Sequence, residues 1–223
     1  MVLKWRVLWM VMLGTGFILG STAAVTERKW ADVSNNATVC DGRKTYAPPS
    51  NLALYSEMDD STYLQTLSGD WHVISTINFF EKSWSCFRGT LRVDNSTGCI
   101  VADWSFRVPL KDTPFAMTDR LCLTPNARRE KFTLTSISMP DWLRKITAED
   151  NRVVETLEIA KPSGSHSDVV DWVVLFDCGN WLTPSGELFF LSRTENVTPN
   201  TMDYVRAAVK RNGVNDFSVL GKC

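Results

Sequence analysis

Leu67-Ser68-Gly69-Asp70-Trp71-His72-Val73-Ile74 reads as a β-strand that is tightly turned at its start and closed by a large ring. Gly69 has access to backbone angles denied to other residues, so the chain can bend sharply into the strand. Trp71 brings the largest apolar side chain available and one N–H that needs an acceptor. At the far end of the chain, Leu188-Phe189-Phe190-Leu191-Ser192-Arg193-Thr194 reads as a second buried strand, followed by a polar break and an amphipathic helix.

Between these two stretches the sequence divides into eight strand-like segments bounded by turn residues. They are 70–77, 86–93, 100–108, 115–121, 131–138, 153–160, 169–178 and 188–193. Short connections such as Asp94-Asn95-Ser96-Thr97-Gly98 favour an antiparallel meander. Eight strands close into a barrel with room for one small ligand, and closure removes the exposed edges. In the third segment Ala102, Trp104, Phe106 and Val108 alternate with Asp103, Ser105 and Arg107, which predicts an apolar, aromatic inner face. The segment Asp171-Trp172-Val173-Val174-Leu175-Phe176 is apolar on both faces, as suits a strand between a cavity and a covering helix. That helix is predicted from a cap at Thr198 or Asn200 to about Arg211, with Met202, Val205 and Val209 on one stripe and Gly213 as its stop.

Gly-x-Trp near the start, an Arg closing the last strand, a terminal helix and a terminal Cys together resemble the lipocalin family. The resemblance covers most of Cys40 to Cys223 and implies an all-β, eight-stranded antiparallel up-and-down barrel with a C-terminal α-helix packed on its outside. It implies that Gly69, Trp71 and Arg193 form the barrel floor, Arg193 lying across the indole in a cation–π contact. His72 stands where the family usually has an aromatic. The connection after the first strand carries Phe79, Phe80 and Trp84, which the resemblance makes a lid over the mouth; the competing reading is that these rings pack on the rim. With Trp104, Phe106, Trp172 and Val174 they are the candidate ligand contacts.

Residues 1–24 read as a signal peptide: Lys4 and Arg6, an apolar run too short for a membrane span, then small residues; an uncleaved anchor is the competing reading. Removing them leaves 22 basic against 25 acidic residues, a net charge of about −3, with no basic field for nucleic acid. No stable membrane span is expected after cleavage. Residues 25–66 read as an extension leading into the barrel, and 67–223 as the barrel and helix.

All six cysteines follow the signal peptide, consistent with an oxidising compartment and a secreted protein. Spacing alone does not choose among their pairings. Resemblance to apolipoprotein D-like lipocalins implies Cys40 with Cys178 and Cys86 with Cys223; Cys99 with Cys122 remains as a pair outside that pattern. Sequons at Asn36, Asn95 and Asn196 fit passage through a secretory lumen.

Catalytic patterns are sparse. His72 and His166 are the only histidines, which excludes a three-histidine zinc site and leaves no metal or cofactor to expect. The leading expectation is a secreted carrier of one small hydrophobic molecule, for which the resemblance suggests a sterol, fatty acid, retinoid, carotenoid or tetrapyrrole. A second is a lipocalin-fold enzyme: Trp84-Ser85-Cys86 and the tail from Ser192-Arg193 to Cys223 are also similar to the lipocalin domain of violaxanthin de-epoxidase. In that reading Asp103 or Asp177 is the candidate general acid, although each is expected to face outward or end a strand. A third is a protein-binding role through the open-end loops.

Overall fold

The computed structural model describes residues 51, 55, 58–76, 84–109, 113–124, 131–141, 152–160, 170–178, 186–214 and 217–223. Helix α1 (Asp60–Leu67) precedes strands β1 (Gly69–Thr76), β2 (Ser85–Asp94), β3 (Cys99–Arg107), β4 (Phe115–Leu123), β5 (Lys131–Ser136), β6 (Arg152–Ile159), β7 (Trp172–Asp177) and β8 (Glu187–Ser192). Helix α2 (Pro199–Arg211) and a two-residue strand β9 (Ser218–Val219) follow. Each strand pairs antiparallel with the next, and β8 pairs with β1, which also pairs with β2, so the sheet closes on itself. This is the eight-stranded up-and-down barrel with an external C-terminal helix that the resemblance implies, and the antiparallel meander that the strand spacing favours.

The differences from the sequence reading have local causes. β7 begins at Trp172 rather than at 169 because the carbonyls of Val170 and Asp171 accept from Arg193, through Nε at 3.0 Å and the main-chain N–H at 2.9 Å. β5 stops at Ser136 because the next two amides, of Ile137 and Ser138, both donate to Thr118 O. The segment before the barrel forms two helical turns: Asp59 caps α1, its carboxylate accepting from Thr62 N at 2.8 Å. Thr198 caps α2, with Pro199 in the first turn and Gly213 in the left-handed region at φ 77°.

Alternation along the strands divides the apolar residues between two cores. Val173, Leu175 and Leu191 join Trp71, Val73, Ile100 and Phe132 inside the barrel. Val174, Phe176, Leu188 and Phe190 join Val205 and Val209 of α2 outside it. An ion pair from Arg211 Nη2 to Glu158 Oε2 at 3.2 Å ties the end of α2 to β6.

Disulfides join Cys86 to Cys223 and Cys99 to Cys122, the latter directly across the β3–β4 ladder at the end near Ile100 and Leu121. Cys178 is also disulfide-bonded. Cys40, with which the sequence reading paired it, lies outside the described residues, as do Asn36, residues 1–24, Phe79 and Phe80. Asn95 is exposed in the β2–β3 turn, and Asn196 precedes α2. Among the described residues no helix is long and apolar enough to cross a membrane.

Leading residues tie the chain to the closed end. Asn51 Nδ2 donates to Ile159 O at 2.8 Å and Tyr55 OH to Ala160 O at 2.8 Å. Burial, helped by the charge of Asp171, pushes the Tyr55 phenol up to about 12. A phenol harder to ionise folded than unfolded contributes stability that is complete below pH 10 and is lost as pH rises toward 12. Urea unfolding of the wild type should therefore weaken across pH 10–12. Tyr55→Phe should cost about 1 kcal/mol at neutral pH, from the lost hydrogen bond, and show a flatter alkaline limb.

Candidate functional site: the barrel interior

The closed end is built around Trp71. Its indole N–H donates to Leu67 O at 2.8 Å, the last residue of α1, so the ring is fixed as soon as the chain turns into β1. Gly69 makes that turn at φ 105°, and a Cβ there would lie 2.9 Å from Arg193 Nη1. The Arg193 guanidinium sits 3.7 Å from the Trp71 ring centre. Its nitrogens donate to four main-chain carbonyls: Val170 at 3.0 Å, Asp70 at 3.1 Å, Thr66 at 3.1 Å and Ser68 at 2.6 Å. Burial lowers the guanidinium's pKa, while the charges of Asp171 and Asp70 oppose that. Tyr55, Tyr63 and Phe132 pack beneath, with Tyr63 stacked on Phe132 at 6.5 Å. This end is sealed by apolar contact and by four hydrogen bonds from one arginine.

The other end differs around its circumference. On β2, β3 and β4 the inward residues are mostly aromatic. Trp84, just before β2, stacks on Phe106 with ring centres 4.0 Å apart and 9° between planes. Phe106 stacks on Phe115 at 5.7 Å, and Phe87 lies edge-on to Trp104 at 5.8 Å and to Phe189 of β8 at 6.5 Å. Gly89, opposite Trp104 in the β2–β3 ladder, makes space for the indole: a Cβ at 89 would meet Trp104 Cε3 at 2.3 Å. Phe87 and Phe106 are buried, whereas Trp84, Trp104, Phe115, Met117 and Phe189 pack on the core yet remain half-buried. These large apolar groups face inward and are only partly covered, so they form an apolar, aromatic inner surface near this end.

The β5–β8 side of the same end is polar. Arg152 lies opposite Leu134 and Asp177 opposite Val154, which places both on the inner face, and Arg152 Nη2 stands 3.1 Å from Asp177 Oδ2. Glu187 is directly across from Asp177, and Asp119 directly across from Ser136. This end therefore carries rings on one inner wall and a buried ion pair on the other.

Two sequence-based assignments are corrected. Trp172 and Val174 do not face the cavity. They share the parity of Phe176: Val174 lies in the α2 core, and half-buried Trp172 packs against both clusters, edge-on to Phe190 at 6.2 Å and to Tyr204 at 5.8 Å. A strand apolar on both faces does not reveal which face is inward; Val173 and Leu175 take that place. Asp177, expected to face outward or end a strand, does end β7 but is fully buried and inward. Asp103 does face outward, between Arg92 and Thr118. Burial pushes its carboxyl up, but the hydrogen bond from Arg92, then that from Thr118, outweighs this and leaves it below the usual carboxylate range.

Several interior residues escaped the sequence reading. Phe87, Gly89, Leu91 and Val93 alternate cleanly with Arg88, Thr90 and Arg92, so the period-two signal was present, and a mid-strand glycine is itself a mark of close approach. Phe189 was hidden in a continuous apolar run, where parity is silent. Arg152 had no local signal, because its orientation depends on the β5–β6 register.

No family model matches the sequence, and no curated protein matches it. Solved structures do match the fold. Lobster apocrustacyanin A1 superposes with a TM-score of 0.52 at 14% identity, over 78% of this chain and 84% of that one. Apocrustacyanin C2 gives 0.54 at 14% identity over the same shares. The cockroach allergen Per a 4 gives 0.50 at 11% identity, over 75% of this chain and 90% of that one. The barrel, its sealed floor and its external helix are the lipocalin fold.

Replacing Arg193 by Met removes the four donated hydrogen bonds and the charge over Trp71 while keeping an apolar stem. We expect a loss of about 3 kcal/mol in urea unfolding, together with a changed near-ultraviolet dichroism from Trp71.

Proposed function

We propose that this chain is a lipocalin, secreted, that carries one small hydrophobic molecule in its barrel. The observation that carries the reading is the set of half-buried inward rings on β2–β4 above a floor that is itself closed. An interior that existed only for stability would be filled, since cores pack densely and voids are costly. In this reading the half-buried rings are the apolar wall of the ligand site, and the few polar groups on the opposite wall fix orientation. The wall geometry suits a ligand with a flat or elongated apolar body, a description that fits carotenoids, retinoids, sterols and fatty acids alike. Disulfides, the leading apolar segment and the exposed sequon at Asn95 support a secretory route. Trp84, Trp104, Phe106, Phe115 and Phe189 form the contact set, with Phe79 and Phe80 retained as candidates at the mouth.

Native mass spectrometry of protein recovered from a secretory host tests the reading, with any bound molecule extracted and identified. A stoichiometric apolar ligand is the expected result. A barrel that arrives empty and takes up no apolar probe shifts the weight to a protein-binding role of the open-end loops, and a molecule converted on incubation shifts it to catalysis.

The inside-outside assignment has its own check. For 8-anilinonaphthalene-1-sulfonate, Trp104→Ala should weaken binding by about tenfold, the equivalent of roughly 1.4 kcal/mol. Trp172→Ala should leave affinity within about twofold while lowering stability through the lost α2 contacts. Equal effects of the two would contradict the wall described above.

A further inference from the structure

β1 and β2 are paired only near the floor, from Gly69↔Leu91 to His72↔Arg88, and toward the mouth they part. The C-terminal segment fills the gap. Ser218 and Val219 pair with Thr76 and Ser75 of β1, and Leu220 N donates to Ile74 O at 2.9 Å. On the other side Cys86 N donates to Gly221 O at 3.2 Å and Gly221 N to Trp84 O at 3.4 Å. The side chains follow suit: Phe217 is buried in the α2 core, Val219 is exposed, and Leu220 is buried in the core inside the barrel. The tail is thus one staff of the barrel wall near the mouth, where the wall runs β8, β1, β9, β2.

Toward β1 this staff is paired through Ser218–Leu220, with Phe217 and Leu220 buried; toward β2 it is held only at its end. Beyond Leu220 its holdings are the Cys86–Cys223 bond, the two amide contacts of Gly221, and exposed contacts from Lys222 Nζ to Asn196 Oδ1 and from Cys223 N to Glu195 Oε1, both 2.6 Å. Cys86 stands at φ 51°, the only non-glycine residue in the left-handed region among the described residues, at the bulge where β2 departs from β3 register. Bulges at barrel rims re-aim side chains, and a non-glycine residue held at such angles stores strain that its surroundings must maintain. A cavity at the seam is lined from both sides of the wall, by Val73 and Phe87 from the interior, His72 and Glu195 from outside, and Leu220 and Cys223 from the tail.

We propose that the C-terminal staff is a latched side door to the cavity, with Cys86–Cys223 as its thiol-sensitive latch. The proposal rests on the carrier reading. Cys223 is exposed and Cys86 half-buried, whereas Cys99 is buried and Cys122 half-buried, so of these two bonds the latch has the more accessible sulfur. A small-molecule dithiol supplies the two electrons. Its thiolate attacks Cys223 Sγ, the S–S bond breaks with the electron pair leaving on Cys86 Sγ, and the second thiol of the reductant resolves the mixed disulfide. Both cysteines end as thiols and the reductant as its cyclic disulfide. With residues 220–223 released, the gap between β1 and β2 opens directly onto Phe87, at the edge of the aromatic wall.

The test uses the full mature protein with 8-anilinonaphthalene-1-sulfonate as probe, comparing the oxidised form, limited dithiothreitol reduction with thiols located by mass mapping, and the Cys86→Ser/Cys223→Ser double variant. Stopped-flow association and dissociation rates should both rise about tenfold in the two opened forms, with Kd changed less than about threefold. Amide exchange should accelerate at Leu220, Gly221 and Cys86 and stay slow across β3–β7. Retained protection at those three amides overturns the latch, and lost protection with unchanged rates overturns the door. General loss of protection in both opened forms also overturns it, since the bond would then hold the fold as a whole. Failure of the oxidised protein to bind the probe overturns the carrier reading and the door with it, whereas binding with unchanged rates overturns the door alone.

Discussion

One guanidinium, clamped between an indole face and four main-chain carbonyls, holds the closed end together. Arg193 directly follows β8, Trp71 lies in the first half of β1, Thr66 and Ser68 belong to the chain entering β1, and Val170 leads into β7. A single side chain therefore fixes the relative placement of three strands and one helix. The fixed fork of the guanidinium suits this, because its five donors diverge in one plane while its face remains free to lie on a ring. Lysine would satisfy fewer of these carbonyls and would present a point charge rather than a plane. The lost solvation of the charge is offset by carbonyl dipoles and ring, with Asp70 and Asp171 nearby.

With the floor fixed, the remaining architecture divides labour between the two faces of the wall. The outer face of β6–β8 is given over to stability: Leu157, Val174, Phe176, Leu188 and Phe190 meet α2, an amphipathic helix of 13 residues that would be marginal alone. The inner face of β2–β4 carries the half-buried rings. These demands fall on different strands, which is why β7 and β8 are apolar on both faces and β2 alternates strictly. Burial on both sides costs no specificity at β7, because its register is set by neighbours on each side.

How much of this was legible in the sequence follows from the same division. Where one face of a strand meets water, as in β2 and β3, alternation states which residues point inward, and Trp104 and Phe106 were read correctly as an inner face. Where both faces are buried, the pattern loses parity, and Trp172 and Val174 were placed on the wrong side. Strand bounds were readable to within three residues because turn chemistry marks them; the ends that moved did so for hydrogen bonds to residues far away in sequence. Arg152 and Asp177 meet only through the β5–β6–β7 register, and Leu220 enters the barrel core only because β1 and β2 part. Such placements belong to tertiary pairing and leave no trace in local composition.

The Cys99–Cys122 bond joins directly opposed residues at the floor ends of β3 and β4, closing a loop of 23 residues in sequence. Nearly the whole β3–β4 hairpin lies within that loop, including Trp104, Phe106, Phe115 and Met117. An unfolded chain that keeps this bond has surrendered most of the freedom of that hairpin beforehand, an entropy reduction worth about 3 kcal/mol. Register between these two strands is thereby remembered through denaturation. The part of the barrel that forms its aromatic wall is also the part that the chain never has to search for again.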